Sequence, residues 1–372
     1  MASRKKTGQS ASSKLNFRPF LEKNETRGTK PTAEKPSVKN ILLMMIQHLC
    51  RKLLFIDIHL RIATYLGFIF VFSILVDVLP MPRVLSSLGF ASKENFLNKY
   101  FVKVGWGWTL LVGLPFNALT SFVYCCGKRN RVLKHLGRFA VATFFWYFWT
   151  NFYNYVENIF GRCNIKDIRY QTKPSCISKG YFWQSLDISG HCFILLYSTL
   201  VLIEECRVIN CWEGISDLIR EEEHSRSQGS TDSTSPLKTL SATEFERLKS
   251  SYPKLTPYIR SLFIIITCLV IIWDIMLITT VLFYHNMLEK LLAAITAVVT
   301  WYVTYYLWYV NPKIFPSLPG DGLFKYRETK QQPVPLKKKG SVTNKLPGPR
   351  FMGMPIRVPE ENVATQTADT VA

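Results

Sequence analysis

Charge is scarce in this 372-residue sequence: Asp, Glu, Lys and Arg together make up 19%, against about 25% in soluble domains. Acidic residues are the scarcer kind, 26 against 46 Lys and Arg, which leaves a formal net charge of +20. Hydrophobic residues reach 48% and aromatics 14%, yet mean hydropathy is only +0.08. An average so close to zero in so apolar a chain requires that basic and apolar residues be segregated. That excludes a uniformly greasy chain and argues against a soluble nucleic-acid binder; a membrane protein with basic flanks fits, with no nucleic-acid partner. The nine cysteines contain no C-x-x-C pair and no Cys/His ligand spacing, so neither a metal nor a cofactor is expected. No internal repeat is evident, and no h-region with a small-residue cleavage site opens the chain, so no signal peptide is expected.

What is present is a set of six apolar stretches near the length that spans about 30 Å of hydrocarbon. They cover residues 62–79, 100–126, 139–160, 186–203, 258–284 and 288–310. Pro115 falls in the middle of the second, where a membrane helix can kink because neighbours satisfy the freed carbonyl. The expected fold is therefore an all-α integral membrane protein with six transmembrane helices over residues 62–310, including a cytosolic loop at 207–257. Residues 1–40, dense in Lys and Arg among Ser, Thr, Pro and Gly, read as a disordered basic arm. Residues 41–61 read as an amphipathic interfacial helix, and residues 311–372 as a disordered tail. The stretch 225–235 is serine-rich and reads as a linker or a phosphorylation site.

Basic residues also orient the chain. The arm, the short link carrying Lys128, Arg129, Arg131, Lys134 and Arg138, and the tail carrying Lys337, Lys338 and Lys339 all fall on one side of a six-span layout. The positive-inside rule makes that side cytosolic, with both termini on it. The loop holding Arg162, Lys166, Arg169, Lys173 and Lys179 then faces the lumen, against the trend, either as a solvated loop or as a surface for an anion. Cys163 and Cys176 share that loop and are either paired or free. Cys125, Cys126 and Cys206 at cytosolic ends are buried thiols or palmitoylation sites.

Ionisable groups inside a membrane are costly unless paired or hydrated, and so mark functional sites. His191 lies about 7 Å below the lumenal surface of the fourth span, and His285 at the lumenal end of the fifth. Two imidazoles from different helices at one membrane face make a plausible acid and nucleophile pair. Ser189 and Gly190 are small enough to leave room for a phosphate beside His191. Lys103, Asp77 and Asp187 gather at the same face, as do Asn151, Asn154 and Asn158 in a stripe that serves as interhelical glue or as cavity lining. Asp274 lies about 16 Å deeper than His285 and is left unassigned between hydrating a lipid cavity and pairing with a neighbour.

Several segments together, 98–104, 182–193, Glu204-Glu205, Phe283-Tyr284-His285-Asn286 and 300–309, resemble the fat storage-inducing transmembrane protein family, in its order and spacing over about residues 93–319. The resemblance implies a six-span protein of the endoplasmic reticulum that supports lipid-droplet formation and membrane lipid balance. It further implies an enzyme, similar to lipid phosphatases, that cleaves fatty acyl-coenzyme A to acyl 4′-phosphopantetheine and adenosine 3′,5′-bisphosphate. By the same resemblance His285 is the nucleophile and His191 protonates the leaving group, with Glu289 orienting His285. Ser189, Gly190, Lys103, Asn154, Asn158 and Asn286 are the expected substrate contacts. Three departures stand out: Ile188 replaces a proline, no Ser-Arg pair precedes His285, and a Lys-rich first motif has no counterpart. Lys103 and the basic lumenal loop are the candidates for the missing phosphate-holding cations. The competing readings are a non-enzymatic protein that binds triacylglycerol or diacylglycerol and, less well supported because inverted repeats are lacking, a transporter.

Overall fold

The computed structural model describes residues 38–79, 96, 98–165, 167–228, 235–311 and 316–326, together with 350–351 and 354–355. The expected disordered arm, most of the tail, and residues 229–234 of the serine-rich stretch lie outside the described residues. Residues from Glu328 onward form a unit of their own.

The chain is mostly helical. Helix α1 spans Val38–Leu54 and α2 spans Ile58–Val78. The predicted interfacial helix at 41–61 is thus shorter and is followed by a turn. The break is set by Asp57, whose carboxylate accepts from the amides of His59 and Leu60 and caps α2. Hydrogen bonding from the Leu60 amide holds Asp57 below the ordinary carboxylate range. Next come a π-helical turn, Asn98–Val102, and α3, Gly105–Tyr124, which runs through Pro115 unbroken. Helix α4 is a continuous 32-residue rod, Arg129–Phe160. A small lid-like segment follows: β1 (Arg162–Cys163), α5 (Lys173–Ser178) and β2 (Trp183–Gln184), with the strands antiparallel and Cys163 disulfide-bonded to Cys176. Helix α6 covers Gly190–Cys206, α7 Gly214–Ser227, α8 Ala242–Phe283 and α9 Met287–Tyr302, the last continued by a π-helical turn, Val303–Trp308.

Helix α6 is the axis. From Cys192 to Cys206 every residue is buried, and α3, α4, α8 and α9 all pack on it. A helix apolar all round belongs in the middle of a bundle. Its opposite is α2, apolar between Arg61 and Asp77 yet exposing Phe70, Val71, Phe72, Ile74 and Leu75. Such a surface in water would be an aggregation hazard, whereas lipid tails cover it at no cost. By length and composition α2, α8 and the stretch Met287–Trp308 can each cross a membrane, and the protein is accordingly a multi-pass helical membrane protein.

The segment expected as a loop at 207–257 is largely ordered and helical. Trp212, Ile215, Leu237, Phe245 and Leu248 are buried, and Ser241 with Glu244 forms a capping box that starts α8 sixteen residues before the apolar run at Tyr258. Its Ser, Glu and Arg residues disguise a short apolar stripe.

Two buried charged clusters tie the helices together. Arg138 on α4 makes a two-pronged contact with Glu205 on α6, Nε to Oε1 at 2.6 Å and Nη2 to Oε2 at 2.7 Å. Asn117 and Tyr305 donate to the same carboxylate at 2.8 Å each. Arg138 also donates to the Ser317 carbonyl, and His135 reaches the Asp321 carbonyl, so the stretch after the last helix is fastened to the bundle. Deeper in, Tyr65 donates to Asp274 at 2.6 Å and Arg61 lies 3.9 Å from it. Asp274 is thus a paired group. Removing one member of a buried pair strands the other, at a cost of about 3–5 kcal/mol. Arg138→Ala or Glu205→Ala should therefore lower the detergent melting temperature sharply, and the double variant Arg138→Met, Glu205→Leu should recover much of the loss. Equal melting of single variant and wild type would disprove the coupling.

Candidate active site

At the end of α6 opposite Glu205, α8 turns into α9 through Tyr284, His285 and Asn286. His285 has φ of 57°, the left-handed region that a side chain ordinarily avoids at about 1–2 kcal/mol. Three contacts over-determine this turn. Glu289 Oε2 accepts from the Asn286 amide at 3.1 Å in a capping box. Asp77 of α2 accepts from the Met287 amide at 3.1 Å. Lys290, fully buried, donates Nζ to the Val281 carbonyl at 2.8 Å, satisfying one of the open carbonyls at the end of α8.

The segment before α6 is tied to the same glutamate. The Asp187 amide donates to Glu289 Oε1 at 3.1 Å, and the Ser189 amide to the Glu289 carbonyl at 3.4 Å. Ser189 is itself buried and caps α6 by accepting from the Cys192 amide at 3.3 Å. Helix α6 therefore begins at Gly190, and His191 occupies its first turn rather than a position a turn and a half inside a span. Asp187 precedes the helix and reaches the site from non-helical backbone.

A cavity of about 560 Å³ opens here, and its wall includes Lys103, Asp187, His191, His285, Asn286 and Glu289. Lys103 enters from the turn between the π-helical segment and α3. His285 Nδ1 stands 3.4 Å from Glu289 Oε2 and 3.8 Å from Asp187 Oδ2, with 17% of the side chain exposed. Two carboxylates thus stand on the Nδ1 side of the ring, and Nε2 is the nitrogen farther from them.

Of the residues predicted from sequence, the cavity wall brings together His191, His285, Lys103 and Asn286. Ser189 and Gly190 are not on it: Ser189 is spent on capping, and a methyl at Gly190 would meet nothing within 4 Å, so that glycine leaves open space. Asn154 and Asn158 lie on the exposed face of α4, away from the cavity, because the buried face of that helix carries Tyr153 and Glu157 instead. Sequence reading did not find Lys290 or the turn-fixing role of Asp77. A Glu-Lys pair opening an otherwise apolar helix is the signal that could have revealed the former.

Comparison with known proteins bears on this arrangement. A sequence model of the family described as fat storage-inducing transmembrane protein matches residues 88–305. Similar proteins include an acyl-coenzyme A diphosphatase FITM2 of Drosophila melanogaster, 47% identical over 322 residues, which are 86% of this chain and 75% of that one. Proteins of the same name from Xenopus laevis and Homo sapiens are 33% and 32% identical, each over 66% of this chain and 81% of its own length. No solved structure matches.

Capping by Glu289 uses both carboxylate oxygens, one for the Asn286 amide and one for the Asp187 amide. Glu289→Gln keeps one acceptor oxygen and turns an NH2 donor toward the other amide, so it should lose one contact, about 1 kcal/mol. Glu289→Ala loses both contacts and should cost about 2 kcal/mol. Calorimetry in detergent that finds the two variants equally stable would sink this assignment.

Proposed function

The chain belongs to the fat storage-inducing transmembrane protein family, and from that premise we propose that it is an acyl-coenzyme A diphosphatase of the endoplasmic reticulum membrane. It crosses the membrane six times, on α2, α3, α4, α6, α8 and α9, with both termini cytosolic and the histidine cavity at the lumenal face. Its reaction converts fatty acyl-coenzyme A to acyl 4′-phosphopantetheine and adenosine 3′,5′-bisphosphate, and so supports lipid-droplet formation and membrane lipid balance. The observation that carries this reading is the shared cavity wall of His191, His285 and Lys103, supported by the activity for which a relative 47% identical is named.

The geometry suits attack at phosphorus. His285 Nε2, with Nδ1 turned to Glu289 and Asp187, supplies the lone pair. As the new N–P bond forms, the bridging P–O bond breaks, and His191 gives its proton to the departing phosphate oxygen. The carboxylates beside Nδ1 offset the positive charge that the ring acquires. Water then attacks the phosphohistidine, His191 takes up the proton, and His285 is released. Lys103 at the mouth neutralises the equatorial oxygens. Its exposed position matches a substrate whose acyl chain lies in the bilayer and whose head projects into water.

The decisive assay follows adenosine 3′,5′-bisphosphate released from oleoyl-coenzyme A by the purified protein. His285→Ala and His191→Ala should each lower kcat by about a thousandfold or more, and a short acid quench should trap phosphorus on wild type but not on His285→Ala. Equal release by wild type and both variants leaves the neutral-lipid-binding alternative standing in its place.

Orientation is tested separately. A glycosylation tag inserted within residues 162–176 should be modified in microsomes. An unmodified tag would move the cavity to the cytosol.

A further inference from the structure

Beside the histidine cavity lies a second of the same size, about 560 Å³. Asn286 and Glu289 belong to the walls of both, so the two are neighbours across one partition. The second is built differently. Its wall includes Phe160 from the end of α4, Arg162 from β1, Gln184 and Ser185 at β2, and no histidine.

Several features fix Arg162 there. It is the strand partner of Gln184, which places the two side chains on one face of the ribbon. The next residue, Cys163, is disulfide-bonded to Cys176. The preceding Gly161 lies so close to the Trp183 ring that no Cβ would fit between them, so strand and helix end are pressed together. Two other cations of this loop are committed elsewhere: Lys173 to Glu157 at 2.5 Å, and Arg169 to Asp167 at 3.6 Å. Among the described residues Arg162 has no carboxylate partner, and it is the loop cation on this wall.

The substrate has two halves about the bond to be broken. One is lipid and pantetheine; the other is an adenosine carrying a 3′-phosphate. A cavity with a guanidinium, a side-chain amide and an exposed aromatic ring matches the second half: the guanidinium forks onto phosphate oxygens, and the ring offers a stacking face to the base. With the pyrophosphate at His285, the partition at Asn286 and Glu289 is where the substrate would pass from one cavity to the other. We propose that the second cavity is the subsite for the nucleotide end of the substrate, in which Arg162 binds the 3′-phosphate. This rests on the diphosphatase reading.

The test compares oleoyl-coenzyme A with oleoyl-3′-dephospho-coenzyme A on the full chain in detergent. Wild type should prefer the first. Arg162→Ala should lose about tenfold in kcat/KM on oleoyl-coenzyme A, the size of one charge-assisted contact, while its rate on the dephospho substrate stays within twofold. The unchanged dephospho rate also certifies that the variant is folded. Arg162→Glu should deepen the loss on oleoyl-coenzyme A alone. An unchanged preference in both variants, or an equal loss on both substrates, would overturn the subsite assignment. Wild type that releases no adenosine nucleotide from either substrate would instead overturn the diphosphatase reading itself.

Discussion

One carboxylate organises the histidine end of the molecule. Glu289 accepts from the Asn286 amide with one oxygen and from the Asp187 amide with the other, and it faces the Nδ1 of His285 as well. These partners come from two separated stretches of chain, the α8–α9 turn and the approach to α6. Without it the left-handed His285 turn would keep only its Asp77 and Lys290 contacts, and the approach to α6 would keep the Ser189 amide on the Glu289 backbone carbonyl but lose the hold on Asp187. The active-site geometry is therefore a consequence of helix capping. A buried carboxylate is affordable here because its oxygens are hydrogen-bonded rather than merely near a cation.

The far end of α6 obeys the same rule with stronger groups. Fourteen residues from His191, or about 21 Å along the helix, Glu205 takes a two-pronged arginine, an asparagine and a tyrosine. A helix buried on every side has no freedom to place a polar residue at its ends unless neighbours supply partners. Glu205 and the α6 cap at Ser189 meet that constraint at opposite ends, which fixes the axial position of α6. That in turn fixes the height of His191 relative to His285.

How legible was this in the sequence? Apolar runs revealed every long helix, since length and composition are local properties. Helix starts were misjudged where a polar cap was hidden in apolar surroundings: Leu186 to Ser189 reads as part of a span, but Ser189 is a cap, and the residues before it are not helical. The two histidines were legible because imidazoles near the same ends of different spans are conspicuous in an apolar background. The asparagine stripe on α4 was equally conspicuous and does not reach the cavity, because periodicity reveals that residues share a face without revealing which way the face points. Arg138 with Glu205, and Tyr65 with Asp274, were not legible as pairs at all; partners far apart in sequence require the fold. The helical content of 207–257 was masked because its buried stripe is short and its exposed residues are plentiful.

The opening imbalance between scarce acid and abundant base can be restated in structural terms. Acidic residues are few, but those in the bundle are deeply engaged: Glu205, Glu289, Glu157 and Asp274 each hold a tertiary contact. The excess base in the described part stays largely at the surface. A membrane interior penalises an unpaired carboxylate as heavily as an unpaired cation, so each acid retained there has a structural partner. At the histidine cavity Lys103 is exposed and Arg162 lines the neighbouring wall, both without a carboxylate partner among the described residues, while Glu289 is buried against His285 and Asp187 is itself exposed beside the ring. Such an arrangement presents two uncommitted cations near the opening and keeps the Glu289 charge behind the imidazole. That is the polarity a polyphosphorylated head requires, and it arises from which cations the fold leaves unpaired rather than from the net charge of the chain.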